Sequence, residues 1–141
     1  GGYIDFEGTE ALDLFSGTGS ISLELLSRGC DRVTSVEMDR DHHAFIVQCL
    51  KKLGTERCIP LRGDVSRFLK SCKAEYDFVF ADPPYALKEL PQIPQMVIDK
   101  GIVKEGGVFV FEHGHNYDFS TLPHFAEHRA YGSVNFSIFQ F

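Results

Sequence analysis

The amino-acid sequence predicts an α/β fold built on an open, mostly parallel sheet that ends in an antiparallel hairpin. Apolar or β-branched runs typical of strands alternate with helical patterns along residues 10–112. The run Tyr76–Ala81 is apolar enough to be buried on both faces, as strands of a parallel sheet are. Residues 128–141 read HRAYGSVNFSIFQF, with Gly132 and Ser133 as turn residues between two alternating strands. Together these observations predict helices packed against a parallel sheet that a C-terminal hairpin extends.

Turn and helix-stop signals divide the chain into its predicted elements. The first strand ends in a glycine turn at residues 16–20, and Gly29 ends the helix that follows. Gly54 closes the second helix, whereas Pro91 and Pro94 interrupt the fourth, so only its last part is predicted as regular. The predicted strands cover residues 10–15, 32–36, 58–61, 76–81 and 108–112, and the predicted helices cover residues 21–26, 39–53, 66–72 and 95–100.

Length and composition indicate one soluble domain. The chain has 141 residues, of which 43% are hydrophobic and 24% charged, close to the average of globular domains. No apolar run approaches the roughly 20 residues of a membrane-spanning helix, and no signal sequence opens the chain, so we expect a cytoplasmic protein with no membrane partner. The four cysteines form no C-x-x-C pair and are expected to be buried free thiols. Residues 1–141 are predicted to form a single domain.

Net charge and the start of the chain bear on nucleic-acid binding. The net charge of -6 has the wrong sign for a protein that holds bare nucleic acid only by neutralising phosphates. The chain begins with Gly1 and Gly2 and soon reaches an apolar strand, which is typical of a trimmed start. Missing N-terminal residues would then be a source of positive charge.

The candidates for ligand binding follow the predicted strands. In open α/β sheets, ligands bind outside the carboxyl ends of the strands, where the strand order reverses. Strand one runs into DLFSGTG, residues 13–19, whose glycines allow a tight turn and a close approach of a ligand to the backbone. A tight turn without a ligand is the alternative. Ser22 stands where a dinucleotide fingerprint has its third glycine, which disfavours a bound pyrophosphate.

Acidic residues follow the next two strands. Glu37 ends strand two, where a carboxylate can accept hydrogen bonds from both hydroxyls of a ribose. Its alternative role is a charge at the start of the next helix, which Asp39 or Asp41 would serve equally. Asp64 follows strand three and can accept from an adenine amino group, or else it caps the helix that begins at Ser66. The glycine turn and the two acceptors jointly predict a nucleoside ligand.

The most informative segment is Asp82-Pro83-Pro84-Tyr85, directly after the strand Tyr76–Ala81. Two successive prolines remove two amide donors and make the backbone rigid, so that a carbonyl points outward beside the Asp82 side chain. This pair of acceptors matches the two N–H bonds of an exocyclic amine on a base. Tyr85 supplies a face on which a flipped base can stack. A plain turn is the alternative, but it needs neither the acid nor the aromatic residue.

These motifs resemble those of the class I S-adenosylmethionine-dependent methyltransferases, which have a Rossmann-like sheet. Residues 11–19 resemble the glycine motif of that class, and DPPY resembles its [DNS]-P-P-[YFW] amino-methylating motif. More narrowly, LDLFSGTGSISLELLSRG, VEMD, VFADPPY and YGSVNFSIF resemble the bacterial 16S ribosomal RNA guanine-N(2)-methyltransferase family, over nearly the whole chain from Ala11. The resemblance implies a seven-stranded sheet with an antiparallel last strand, S-adenosylmethionine as cofactor, and methylation of a flipped guanine amine in ribosomal RNA of a small-subunit particle.

The same resemblance implies roles for individual residues. Those at the methionine end of the cofactor are Asp13, Phe15, Ser16, Gly17 and Gly19, and those at its ribose and adenine are Glu37, Met38, Asp64 and Val65. Those at the target amine and base are Asp82, which also borders the cofactor, and Pro83, Pro84 and Tyr85. The family's usual N-terminal segment with Arg, Pro and Thr is not visible, so we expect a domain that lacks its substrate-gripping segment.

Other functions share parts of this pattern. The amino-methylating motif also occurs in DNA adenine or cytosine methyltransferases and in enzymes that methylate a protein glutamine amide. A separate target-recognition domain, typical of the DNA enzymes, is not seen. A nicotinamide-dependent oxidoreductase or a noncatalytic nucleoside-binding module would use the same sheet. The histidines at 42, 43, 113 and 115 offer no complete ligand set, so no metal is expected.

Overall fold

The computed structural model describes residues 4–141, which form one seven-stranded sheet with four α-helices. The strands are Glu10–Leu14 (β1), Arg32–Glu37 (β2), Cys58–Arg62 (β3), Tyr76–Ala81 (β4), Val103–His113 (β5), Phe125–Tyr131 (β6) and Val134–Gln140 (β7). The helices are Ser20–Ser27 (α1), Arg40–Leu53 (α2), Val65–Ser71 (α3) and Ile93–Lys100 (α4), with a 3₁₀ turn at Leu90–Gln92. None of the helices within the described range has the length and apolar run that a membrane crossing needs.

The strand order is β3-β2-β1-β4-β5-β7-β6. Strands β1 to β5 pair in parallel, whereas β7 runs antiparallel to both β5 and β6. The predicted mostly parallel sheet with a closing antiparallel hairpin is therefore confirmed. The chain moves outward from β1 to β3 on one side and restarts at β4 on the other, so the order reverses between β1 and β4. Ligand crevices of open α/β sheets lie at this point.

Two hydrophobic layers hold the helices to the sheet. On one face, Leu25 of α1 and Ile46 of α2 pack with Ala11 of β1. On the other face, α3 and α4 pack through side chains such as Leu69 and Val97. Neighbouring residues of a central strand therefore serve opposite layers, and burial of each large aliphatic side chain contributes about 1.5–3 kcal/mol. This double burial explains why residues 78–81 of β4 are all apolar.

The fifth strand begins earlier than predicted, at Val103 instead of residue 108. The two glycines at 106 and 107 lie inside it, where the register with β4 shifts between Tyr76 and Phe78. A Cβ atom at Gly107 would lie 2.8 Å from the backbone oxygen of Asp77, so the strands approach too closely there for a side chain. Gly107, which precedes the predicted strand, thus marks a close backbone contact within the observed one.

Two further elements also begin earlier than their patterns indicate. Helix α4 starts at Ile93, with Pro94 in its first turn. Proline is tolerated there because a first-turn N–H has no partner within the helix. Strand β6 starts at Phe125 instead of residue 128, since the Phe125 ring packs edge-on against Phe139 of β7 and so extends the hairpin.

The cysteines are free thiols, as predicted, but only Cys30 and Cys58 are buried. His113 is fully buried rather than on a surface loop, with its Nε2 atom 2.7 Å from the Ser137 hydroxyl oxygen. Within residues 4–141, no group of three or more His, Cys, Asp or Glu side chains is arranged to hold a metal ion. His113 therefore has a structural role between β5 and β7.

Gly19 is a position at which a side chain is expected to cost stability. Its φ is +88°, and an added Cβ would lie 2.9 Å from Ile46 Cγ1. We expect Gly19→Ala to lower the free energy of unfolding by about 1–2 kcal/mol for the left-handed backbone and by about 1 kcal/mol or more for the overlap with Ile46. Chemical denaturation measures the loss. The control is Gly54→Ala, because Gly54 has a φ of +66° and an added Cβ there would have no atom within 4 Å. Its free energy of unfolding should fall only by the backbone contribution. Equal losses in the two variants would contradict the packing argument.

Candidate active site

A cavity of about 940 Å³ opens at the carboxyl ends of β1 to β5, across the point where the strand order reverses. Its volume lies in the range of small-molecule sites, roughly 300–1,000 Å³. The predicted residues in its wall are Phe15, Gly17, Glu37, Met38, Asp64, Val65, Asp82, Pro83, Pro84 and Tyr85. The wall residues that the sequence analysis missed are Val36, Asp39, Arg40, His42, Arg62, Gly63, Leu87 and Glu112. All of the missed residues except Glu112 lie within a few positions of a predicted one along the chain. This closeness in sequence was the signal that could have indicated them.

The turn after β1 bends toward the end of β2. Phe15 and Gly17 both adopt left-handed backbone angles, with φ of 60° and 58°. The Ser16 N–H donates to the Val36 carbonyl oxygen at 3.0 Å, and the Gly17 N–H donates to Glu37 Oε1 at 2.7 Å. The turn is thereby tied to the neighbouring strand, and it stands in the cavity wall at Gly17.

The Glu37 carboxylate is held by backbone amides on both of its oxygens. Oε1 accepts from Gly17, and Oε2 accepts from the Asp39 N–H at 2.9 Å. The side chain is only 13% exposed. A carboxylate has about four acceptor positions, so two remain for a ligand. The alternative role at the helix start belongs to Asp39, which caps α2 by accepting from the His42 N–H at 2.8 Å; this hydrogen bond lowers the pKa of Asp39.

Asp64 has the capping role that was its alternative. Its Oδ2 accepts from the Arg67 N–H at 3.0 Å at the start of α3. The residue also lies in the cavity wall beside Val65, so capping fixes the position of its carboxylate at the cavity. A contact of Asp64 with an adenine remains a prediction.

Three residues predicted to contact the cofactor lie outside the cavity wall: Asp13, Ser16 and Gly19. The Asp13 side chain is 1% exposed and accepts a hydrogen bond from the Ser22 hydroxyl at 2.6 Å. Ser22 Oγ is in turn 2.6 Å from Ser35 Oγ, so this buried chain ties α1 to β1 and β2. In this structure Asp13 thus supports the turn from beneath, and contact of these three residues with the cofactor remains a prediction. Ser22, noted only as a missing glycine, is the partner that the sequence analysis overlooked.

Burial raises the pKa of Asp13 from its ordinary 3.8 to about 7, although the Ser22 hydrogen bonds oppose the shift. The folded state therefore binds the Asp13 proton more tightly than the unfolded chain does, and stability is lost as the pH rises from about 4 to about 7. A shift of this size corresponds to on the order of 4 kcal/mol.

We expect Asp13→Asn to flatten the pH dependence of unfolding between pH 4 and 7, because an amide cannot ionise. Denaturant unfolding at a series of pH values measures the slope. The slope should fall without vanishing, since the pKa values of Asp82 and Glu112 are also raised. An unchanged slope would show that the Asp13 carboxyl group does not titrate in this range.

The segment Asp82-Pro83-Pro84-Tyr85 leaves β4 at the reversal point. The Asp82 N–H faces the Leu14 carbonyl oxygen of β1 at 3.4 Å. Pro83 is buried and Pro84 is exposed, while the Tyr85 side chain is 61% exposed at the cavity. An acid, a rigid backbone and an open aromatic ring thus stand together, as the motif predicted.

Glu112, at the end of β5, is the functional candidate that the sequence analysis missed. Ala81 and Phe111 are partners across β4 and β5, so the next residues, Asp82 and Glu112, are neighbours on one face of the sheet. Both lie in the cavity wall, and each side chain shifts the pKa of the other. Burial, followed by the charge of Asp82, raises the pKa of Glu112 to about 7. A single acid after four apolar residues of VFVFE was the signal in the sequence.

The sheet order and this cavity together define the class of the protein. A sheet whose first five strands are parallel and whose last hairpin is antiparallel, with the ligand crevice between β1 and β4, is the fold of the class I S-adenosylmethionine-dependent methyltransferases. The acidic residue that ends β2 and the DPPY segment after β4 occupy the strand ends that the resemblance implies.

The chain belongs to the Conserved hypothetical protein 95 family, which matches residues 3–140. It is 33% identical over 112 residues to the "Putative rRNA methyltransferase YlbH" of Bacillus subtilis, covering 77% of this chain and 61% of that protein. It is 26% identical over 134 residues to the "Ribosomal RNA small subunit methyltransferase D" of Escherichia coli strain K12, covering 93% of this chain and 68% of that protein.

A solved structure shares the fold. The "Putative methyltransferase yhhF" from Escherichia coli superposes with a TM-score of 0.87 at 24% identity, covering 96% of this chain and 76% of that one. The chain spans about three fifths of the length of the Bacillus relative and about two thirds of the length of the Escherichia coli small-subunit methyltransferase.

Proposed function

We propose that this protein transfers a methyl group from S-adenosylmethionine to the exocyclic N2 amino group of a guanine in small-subunit ribosomal RNA. The observation that carries the proposal is the position of Asp82 and Pro83 in the wall of the same cavity as the anchored Glu37. One end of the cavity therefore offers acceptors for an amine, and another offers a carboxylate for a ribose.

The wall residues fit the cofactor by their chemistry. Glu37 keeps two acceptor positions for the ribose hydroxyls after its contacts with Gly17 and Asp39. Met38 follows it in the wall and is 63% exposed, so its flexible thioether can cover one face of an adenine. Val65 is buried beside the capped Asp64 and offers an apolar edge. An anchored carboxylate between apolar surfaces is suited to a nucleoside.

The acceptor pair at the end of β4 accounts for the reaction. When bound, S-adenosylmethionine supplies a methyl group already activated by its sulfonium sulfur. The main task of the chain is therefore alignment. Asp82 and the Pro83 carbonyl oxygen accept the two amine hydrogens, which favours a pyramidal nitrogen and stabilises its developing positive charge. The proton that the methylated nitrogen loses passes to Asp82 or to water.

An RNA base is supported as the substrate by features around the cavity. The exposed Tyr85 ring offers a stacking surface for a base turned out of its strand. Arg40 and Arg62 stand in the wall as candidates for phosphate contacts, although the wall also carries five acidic residues and the chain as a whole carries -6. The relatives named as ribosomal RNA methyltransferases also support ribosomal RNA as substrate, and the DPPY resemblance supports an amine as the methylated group.

Transfer of labelled methyl from S-adenosylmethionine tests the proposal. The acceptors are small ribosomal subunits from a strain that lacks its own enzyme, with naked ribosomal RNA, DNA and protein beside them. We expect label in one guanine of the subunit RNA. Label only in DNA or in a protein glutamine would keep the chemistry and reject the substrate. No transfer to any acceptor, with S-adenosylhomocysteine still bound, would favour a noncatalytic nucleoside-binding module.

A further inference from the structure

Two carboxyl groups, those of Asp82 and Glu112, are neighbours in the cavity wall. Asp82 follows β4 and Glu112 ends β5, and the parallel register makes them neighbours on the same face of the sheet. Both residues line the cavity, and each side chain shifts the pKa of the other. Two neighbouring carboxylates repel each other, so the pair favours one proton and one negative charge, and a hydrogen bond between the two groups requires that proton.

The surroundings indicate which member carries the proton. Burial raises the pKa of both carboxyl groups; the interaction with Glu112 opposes this rise at Asp82, whereas the charge of Asp82 adds to it at Glu112. Asp82 is the titratable group whose charge acts on Glu112, and the residue of β7 that is paired with Glu112 is Phe136. Asp13 of β1 is the next acid on this face, and the charge of Asp82 helps to raise its pKa. The proton accordingly resides on Glu112.

We propose that Glu112 is a positioning residue for Asp82: its protonated carboxyl group donates a hydrogen bond that keeps the Asp82 carboxylate ionised and correctly oriented for the target amine. This inference rests on the proposed function, because it assigns Asp82 the amine-accepting role. A free aspartate side chain samples several rotamers, and one fixed donor on the adjacent strand removes that freedom. Glu112 acts through Asp82 and does not need to touch the substrate.

Two substitutions of similar size separate the hydrogen bond from packing. Glu112→Gln keeps a donor at the end of the side chain, whereas Glu112→Met keeps the length and removes the donor. We expect Glu112→Met to have a kcat about 10-fold to 100-fold below that of Glu112→Gln, the effect of losing one hydrogen bond to a charged group. The same pair of changes at Glu105, an exposed residue of β5 outside the cavity, serves as control.

The pH dependence of kcat/KM distinguishes a positioning role of Glu112 from a merely structural one, which would leave it unchanged. Activity requires ionised Asp82, so kcat/KM falls at acid pH as Asp82 gains a proton. Without its donor, Asp82 binds a proton more readily, and the acid limb of Glu112→Met should move to higher pH than that of Glu112→Gln. If the acid limbs of the two pH profiles coincide and the kcat values of Glu112→Met and Glu112→Gln are equal, the proposal is overturned.

Carboxyl-carbon NMR tests the pair without any turnover. In the wild-type protein the Glu112 signal should titrate near pH 7, and in Asp82→Asn it should titrate at a lower pH, because the neighbouring charge is gone. A Glu112 titration that Asp82→Asn leaves unchanged would contradict the pairing. If the titration moves as expected but the wild-type protein methylates no acceptor, the proposed function fails and the carboxyl pair stands.

Discussion

Asp82→Ala is expected to abolish methyl transfer while leaving cofactor binding largely intact. In the proposed function, the side chain is one of two acceptors for the amine, and its charge balances the positive charge that develops on the nitrogen. Loss of a group with this role lowers the rate by about 10²–10⁴-fold. Single-turnover transfer of labelled methyl measures the rate, and calorimetry with S-adenosylhomocysteine measures the affinity.

A matched control for this substitution is Asp31→Ala. Asp31 is exposed and precedes β2 at the opposite edge of the sheet, outside the cavity wall. The Asp31→Ala variant should transfer methyl groups at the wild-type rate. Near wild-type turnover by Asp82→Ala would refute the catalytic role, whereas loss of both turnover and S-adenosylhomocysteine binding would mean that Asp82 holds the cofactor instead.

Glu37→Ala is expected to have the opposite signature, with weak cofactor binding and a nearly normal rate at saturation. The substitution removes the acceptors offered to the ribose and also frees the Gly17 and Asp39 amides that the carboxylate holds. Hydrogen bonds to a charged group contribute about 1.5–3 kcal/mol, so affinity for S-adenosylhomocysteine should fall about 100-fold. The amine site at Asp82 lies on a different strand and keeps its geometry.

The control for Glu37→Ala is Glu75→Ala. Glu75 is exposed and precedes β4, outside the cavity wall. Its loss should leave the dissociation constant of S-adenosylhomocysteine unchanged. Wild-type affinity in Glu37→Ala would mean that the carboxylate only braces the glycine turn and that the ribose binds elsewhere.

Much of the fold was predictable because its signals are local. The alternation of apolar strands with helices and the turn at Gly132 and Ser133 were sufficient for a parallel sheet with a closing hairpin. Element starts were less predictable. Gly106 and Gly107 precede the predicted fifth strand, yet they lie within β5, and the close approach of β4, unseen in the sequence, leaves no room for a side chain at Gly107.

The candidate site divides in the same way. Residues that directly follow a strand, such as Glu37, Asp64 and Asp82, were found from the rule that ligands bind at strand ends. Asp13 was expected at the cofactor from the family resemblance, but its side chain faces inward and accepts a hydrogen bond from Ser22. Strand periodicity alone does not tell which of two buried faces a cavity borders.

The sequence by itself determined the fold class, the order of the elements and the chemistry at three strand ends, since each depends on short runs of neighbouring residues. Only the tertiary structure decided that Glu112 meets Asp82, because these residues are far apart along the chain and the register of β4 on β5 brings them together. The same holds for the Gly17 amide that fixes Glu37, since the bend of one turn onto the end of another strand is a property of the packed sheet.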